Sequence, residues 1–238
     1  GAFLLVNTGK KIVKVRGLLN SIGAVNGLKK NDTFYITEST VNAAATALQW
    51  LKINFNLFND ISDIDKMCRK SSNRLFVLPA IGGIGSPYWD FSTFTTFTGL
   101  NAKSNKYDII RGFIEGICFM IADAALRIEC SGTKISTIIA SGGLSQIDYL
   151  LQFQADITGA KIIRSSQNEG TAFGTAKMTA GALNLSTDKW ISKKKEKTFS
   201  PQINKAQRDK LIKSWRVFIK DSQRMSANLR EAQVLPHP

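Results

Sequence analysis

Apolar residues at three- and four-residue spacing dominate the middle of this chain. Over 107–130 they recur as Ile110, Phe113, Ile114, Ile117, Ile121, Ala124, Ala125 and Ile128, which is the period of a helix and predicts a central, nearly buried one. Downstream, short apolar runs alternate with amphipathic stretches. They predict a strand over 135–140, a glycine turn, a helix over 148–157 stopped by Gly159, a strand over 161–164 and a helix over 169–182. That order is the signature of an α/β layer with parallel strands. A last helix over about 205–229 carries Leu211, Ile212, Trp215, Phe218 and Ile219 on one face.

The first third reads less evenly. GAFLLVNTGKKIVKV is apolar on both sides of an Asn7-Thr8-Gly9 turn and predicts a β-hairpin, with short strands after it over 18–25 and 34–36. Val41, Ala44, Ala45, Leu48 and Leu51 then fall at helical spacing, so a helix is expected over 39–51 with Ser39 or Thr40 as its cap. A shorter helix is expected over 63–68. RLFVLPA predicts a strand stopped by Pro79, and Gly82, Gly83, Gly85 and Pro87 make the next segment a loop. There is no internal repeat.

Composition narrows the picture. At 238 residues and 43% hydrophobic, the chain can bury a substantial core. No window approaches the roughly 20 uncharged apolar residues of a membrane span, and the N-terminus has no signal-peptide pattern. An intracellular protein is expected, cytoplasmic or mitochondrial, with no membrane partner. Cys68, Cys118 and Cys130 lack metal-ligand spacing and sit in apolar or helical context, so all three are expected as buried, reduced thiols. The net charge of +14 is concentrated at the end, where residues 186–238 hold thirteen Lys or Arg against five Asp or Glu. The run Lys193, Lys194, Lys195, Lys197 reads as a solvated linker, with nucleic acid or an acidic surface as the sharper alternative. No aromatic residues interleave it, which argues against a single-strand binding groove.

The chemistry centres on ISTIIASGG, an apolar strand delivered into Gly142-Gly143. Open α/β sheets bind ligands at the carboxyl ends of their strands, and a missing Cβ lets a flat or anionic ligand reach the backbone. The alternative reading of the pair is a tight strand-to-helix turn that needs a positive φ and binds nothing. No third glycine completes a dinucleotide fingerprint, and no Gly-Lys-Ser/Thr phosphate loop occurs in the chain. The single histidine, His237, lies near the end and is discounted as base or ligand.

Six blocks agree in order and spacing with one family. GAFLLVNTG, ITESTVNAAATALQWL, LFVLPAIGGIGSPYWD, YDIIRGFIEGICFMIAD, ASGGLSQIDYLLQFQADITGAKI and EGTAFGTAKMTAG resemble successive blocks of the C-terminal domain of FGGY carbohydrate kinases. The loop from Gly83 to Asp90 looks most like the glycerol kinase form. The resemblance covers about 1–185 and leaves 186–238 as a basic C-terminal extension with a closing helix. It implies an α/β, actin-like and ribonuclease-H-like ATPase domain, a mixed sheet flanked by helices, which binds ATP or ADP with Mg. The polyol or sugar would sit mostly on an N-terminal domain.

Residue by residue, Gly1 matches the last glycine of a Gly-Thr-Gly turn near the nucleotide phosphates. Phe3 matches the aromatic against the carbon side of the substrate, and Gln49 a glutamine near the nucleotide. Gly142 and Gly143 match the pair over which adenine lies. Departures accompany these matches. Ala45 and Ser39 stand where the glycerol kinase form has glycine, and FSTFTTF replaces a charged, arginine-containing stretch after PYWD. Ile147 stands where a polar residue reaches the adenine, leaving Asp148 or Ser145 to substitute. These changes bear on nucleotide affinity and leave the fold untouched. Asp123 matches the acidic member of an Arg-Asp pair, with Ala122 in the arginine position, and Glu115 faces either a solvent edge or a buried partner. In PYWD, Trp89 is expected to bury a large area and Asp90 to cap a turn.

The family's catalytic Asp lies upstream of Gly1, so no catalytic residue and no metal ligand is expected here. Catalysis would need the N-terminal kinase domain, and the abrupt start inside a turn motif points to a piece of a longer protein. A rival reading is a degenerate kinase domain kept as a structural or interaction module, docking by its basic tail on nucleic acid or a large assembly. Self-association is a further partner class.

Overall fold

The computed structural model describes residues 1–25, 33–187, 190, 196–232 and 234. Lys193–195 of the basic run, and His237, lie outside the described residues.

At the centre is α3 (Lys106–Cys130), whose buried positions run almost all the way round its circumference from Asp108 to Ile128. Asn105 starts it with a capping box, its side chain accepting from the Tyr107 amide while Asp108 accepts from the Asn105 amide. Around α3 lie β1 (Ala2–Gly9), β2 (Leu19–Val25), β3 (Thr33–Val41), α1 (Ala45–Phe55), α2 (Asp63–Lys70), β4 (Phe76–Leu78), β5 (Thr96–Thr98), β6 (Thr137–Ala140), α4 (Asp148–Thr158), β7 (Lys161–Arg164), α5 (Gly170–Ala182), β8 (Lys197–Phe199) and α6 (Lys205–Glu231).

The strands form three sheets among the described residues, ordered β1-β3-β2, β4-β5 and β6-β7-β8. β6 and β7 are parallel, joined through α4, and β8 closes that sheet antiparallel, so it is mixed. Gly159, with φ of 74°, ends α4 in the left-handed conformation that glycine adopts without strain.

Four expectations change, the fourth at Trp89. The N-terminal hairpin does not form: β1 pairs with β3, from Ala2 opposite Val41 to Gly9 opposite Tyr35. Residues 10–18 instead make an irregular connection, in which the Val13 carbonyl accepts from Asn20 Nδ2 and Thr37 Oγ1. The first helix starts at Ala45 and not at 39, because Ser39 and Thr40 belong to β3, which bonds strands on both sides. Cys68 and Cys118 are buried free thiols as expected, but Cys130, at the end of α3, is exposed.

The last helix is integral to the core. Trp215 of α6 is fully buried and stacks on Phe119 of α3 with ring centroids 4.9 Å apart. Trp89 shows the reverse: it is 39% exposed, and its indole N–H donates to the Gly17 carbonyl at 2.7 Å. Asp90 does cap its turn, accepting from the Ser92 amide and hydroxyl and from Thr93 Oγ1.

Candidate functional site

β6 delivers its carboxyl end into Ser141-Gly142-Gly143, and a single 3-10 turn (Gly143–Gln146) leads from there to α4. Gly142 has φ of 89°, which strains any residue with a Cβ. A Cβ placed on Gly142 or on Gly143 would meet no atom within 4 Å. The turn therefore presents bare backbone to open space, a surface on which a planar group can lie directly against the peptide plane.

The turn is braced from behind. The Gly142 amide donates to the Asn168 carbonyl at 3.0 Å, and Gln146 Nε2 donates to Asn168 Oδ1. Ser145, 3% exposed, donates from its hydroxyl to the Gly142 carbonyl. Arg164 at the end of β7 donates to the Ser145 carbonyl at 2.6 Å and to Asp148. Asp148 also pairs with Lys197 of β8. Burial alone would raise the pKa of Asp148, but the hydrogen bonds from Lys197 and Arg164 outweigh it and hold the carboxyl below the usual range.

Three positions expected near the adenine, Ile147, Asp148 and Ser145, have contacts within the protein. Ile147 is 3% exposed and part of the main core cluster, so its side chain anchors the start of α4 and does not face the open side of the turn. Asp148 and Ser145 are engaged in bracing. An apolar residue just after a glycine turn gives no local sign of which way it points.

A second group gathers where β3 runs into α1. The β1–β3 register places Gly1 beside Asn42, and a Cβ on Gly1 would lie 3.0 Å from the Val41 carbonyl. Ala45 and Gln49, one helical turn apart on α1, are both exposed. Phe3 is 61% exposed on the β1 face turned away from α3.

Among the described residues no three His, Cys, Asp or Glu side chains gather as a metal site, and no helix is long and apolar enough to cross a membrane. A surface cleft of about 520 Å³ between α2, α4 and α6, lined by Arg69, Arg74, Tyr149 and Lys210 among others, involves none of the residues above.

Sequence reasoning named Asp123 and Glu115 but missed the long-range partners that make them buried polar hubs. Asp123, 2% exposed, accepts from Tyr88 Oη at 2.6 Å, Trp215 Nε1 at 2.9 Å and Arg216 Nε at 3.1 Å. Burial and the Asp123 charge both push the Tyr88 phenol well above its ordinary value. Glu115 has the buried partners that were one of its two expected settings: Arg111 Nε at 2.8 Å, Arg74 Nε at 3.1 Å and the Tyr149 hydroxyl at 2.6 Å.

Residues 1–183 match the family profile described as "FGGY family of carbohydrate kinases, C-terminal domain". The glycerol kinase of Pseudothermotoga lettingae is 34% identical over 223 residues, 91% of this chain but 44% of that protein. That of Clostridium perfringens is 33% identical, with 94% and 45% covered. Among solved structures, Plasmodium falciparum glycerol kinase with ADP superposes with a TM-score of 0.77 at 23% identity, over 92% of this chain and 45% of that one. Xylulose kinase from Rhodospirillum rubrum does so with a TM-score of 0.73 at 16% identity, over 94% and 46%. The fold is therefore that of the actin-like sugar kinases, as the block pattern implied, and the chain spans slightly under half the length of these relatives.

Proposed function

This chain belongs to the FGGY family of carbohydrate kinases, as its C-terminal domain, and on that premise we propose that it is the nucleotide-binding half of a glycerol-kinase-like enzyme. The whole enzyme would move the γ-phosphoryl group of Mg-ATP to a hydroxyl of a polyol or sugar. One observation carries the reading: a glycine pair with nothing within 4 Å of either Cβ, at the carboxyl end of a parallel strand.

Mg-ATP, when bound, supplies the transferable phosphoryl group and its charge-neutralising metal. The residues of this chain position and shield. Gly142 and Gly143 admit the base to the backbone, and the Ser145, Asp148 and Arg164 brace keeps that surface preformed, which limits the ordering cost of binding. Gly1, Ala45 and Gln49 border the phosphate side, and Phe3 offers an apolar wall to the carbon side of the acceptor. The base that takes the acceptor proton, and most acceptor contacts, belong to the N-terminal half, so the 238-residue chain is expected to bind nucleotide without turning over.

Calorimetry with ADP tests this. Micromolar binding is expected, and Gly143→Leu should weaken it at least tenfold while changing the unfolding free energy by no more than about 0.5 kcal/mol, because its Cβ meets open space. Unchanged ADP affinity in that variant would remove the turn from the site.

A further inference from the structure

Away from the glycine turn, three lysines line one small cleft and lack a counter-charge. The cleft, of about 240 Å³, lies between the segment that follows α1, the helix α2 and the start of α3. Lys66 and Lys70, one turn apart on α2, and Lys106, the first residue of α3, line it together with Tyr107, Phe58 and Met67. Among the described residues none of the three lysines makes an ion pair. Asp63 supplies the one carboxylate on the wall, and it accepts from the Asp60 amide at 3.3 Å. The cleft is therefore net positive.

Two of these charges converge on one ring. The Lys70 and Lys106 ammonium groups lie 5.6 and 5.7 Å from the centroid of Tyr107. Each contact with the ring is favourable, but gathering both at one ring brings together two like charges that repel. Lys106 adds a second conflict. It opens a 25-residue helix, whose N-terminal end is the positive pole of the peptide dipoles and disfavours a cation. Local choices that oppose one another in this way gather at functional sites. An anion in the cleft resolves both conflicts, because the ammonium groups and the helix end attract it alike.

Size and walls set the ligand. At about 240 Å³ the cleft falls below the roughly 300–1,000 Å³ that admits larger organic ligands, so it has no room for a whole nucleotide. Phe58 and Met67, both 7% exposed, contribute apolar surface to its wall, and low polarity nearby strengthens each charge contact. Lysine binds phosphate as a point charge, without the planar fork that arginine offers to carboxylates. We propose that this cleft binds inorganic pyrophosphate, with Lys66, Lys70 and Lys106 as its charge partners. The site shares no residue with the glycine turn, β1 or α1, and does not depend on the kinase reading.

Calorimetry of the 238-residue chain with inorganic pyrophosphate, in the presence of excess ADP, tests this. One equivalent should bind with a dissociation constant of about 0.1–1 mM, weakening as salt rises. The double variant Lys70→Gln, Lys106→Gln should weaken binding at least tenfold, whereas Lys213→Gln, which removes an exposed charge from α6, should leave it within twofold. Equal losses in the two variants would reduce the effect to general charge attraction. Displacement by ADP, which carries the same group on a larger body, would move it to the nucleotide site. Either result, or the absence of saturable binding, overturns the proposal and leaves the kinase reading standing. A second readout needs no substitution: an amine-acetylating reagent should modify Lys66, Lys70 and Lys106 at least fivefold more slowly when pyrophosphate is present, with Lys213 unaffected. Unchanged rates at the three lysines would equally overturn it.

Discussion

One carboxylate, Asp123, ties the end of the chain to its middle. Removing it by Asp123→Ala leaves the Tyr88 hydroxyl and the Trp215 N–H without their acceptor in the core, and leaves Arg216 without its counter-charge. Stranded buried polar groups cost their full desolvation, so a loss of about 3 kcal/mol is expected in urea unfolding, with an unchanged slope. Asp123→Asn keeps one carbonyl acceptor and should lose less. A loss below about 1 kcal/mol for the alanine variant would mean water replaces the carboxylate freely. Half of this hub was legible in the sequence: Asp123 was recognisable, and so was the lack of an arginine at Ala122. The guanidinium that reaches Asp123 comes from Arg216, 93 residues later, a distance no local spacing reveals. Gly142 and Gly143 were legible for the opposite reason, because strand, turn and helix signals are contiguous there. The burial of Ile147 was not legible, because burial at a strand-to-helix junction is decided by packing.

Elements with a strong period were legible and short ones were not. The pattern over 107–130 matches α3 within one residue at its start, since eight apolar positions repeat the helical spacing. β5 and β8 have three residues each, too few to show any period, and exist because a neighbouring strand pairs with them. α1 was displaced because Val41 satisfies a helical spacing and a strand alternation alike, and β1 pairing settles it. The start of α3 carries a prediction. Burial alone would raise the pKa of Asp108, but hydrogen bonds from the Ser71 hydroxyl, the Asn73 amide and side chain and the Asn105 amide outweigh it and hold it at about 2. A folded pKa below the unfolded value near 3.9 means the unfolded chain binds the proton more readily. The stabilisation is present above about pH 4 and is lost as pH falls toward 2. Asp90 is also held at about 2, so the informative quantity is the gap between the parent and Asp108→Asn. That gap in unfolding free energy should be widest above pH 4 and narrow steadily toward pH 2. A gap that stays constant across this range would show that Asp108 acts by shape alone.

For the whole molecule, the question is whether the basic C-terminal segment is an appendage or part of the fold. The family profile ends at residue 183 and the basic residues concentrate after it, yet the glycerol kinase relatives match over 91–94% of the chain and so reach past that point. Packing joins the segment to the rest. Ile212, Trp215, Phe218 and Ile219 of α6 are buried in the cluster that holds Phe113, Phe119 and Phe153, and Phe218 also meets Phe76 of β4. The positive face of α6 is what is left after that stripe is buried, which explains a solvated cationic surface without invoking a partner. Trp215→Ala should cost about 3–5 kcal/mol, the range for deleting a large buried aromatic. Set against a total stability of about 5–15 kcal/mol, that is enough to leave the chain marginal. Ending the chain at residue 185 removes the whole stripe and exposes the apolar surface of α3 and α4 beneath it. Such a chain should lose its cooperative urea transition and bind a hydrophobic dye, whereas the parent unfolds in one step by far-ultraviolet dichroism and by tryptophan fluorescence. If the shortened chain instead unfolds cooperatively at the parent's midpoint, the sequence boundary near 185 is a physical one and α6 is dispensable to the fold.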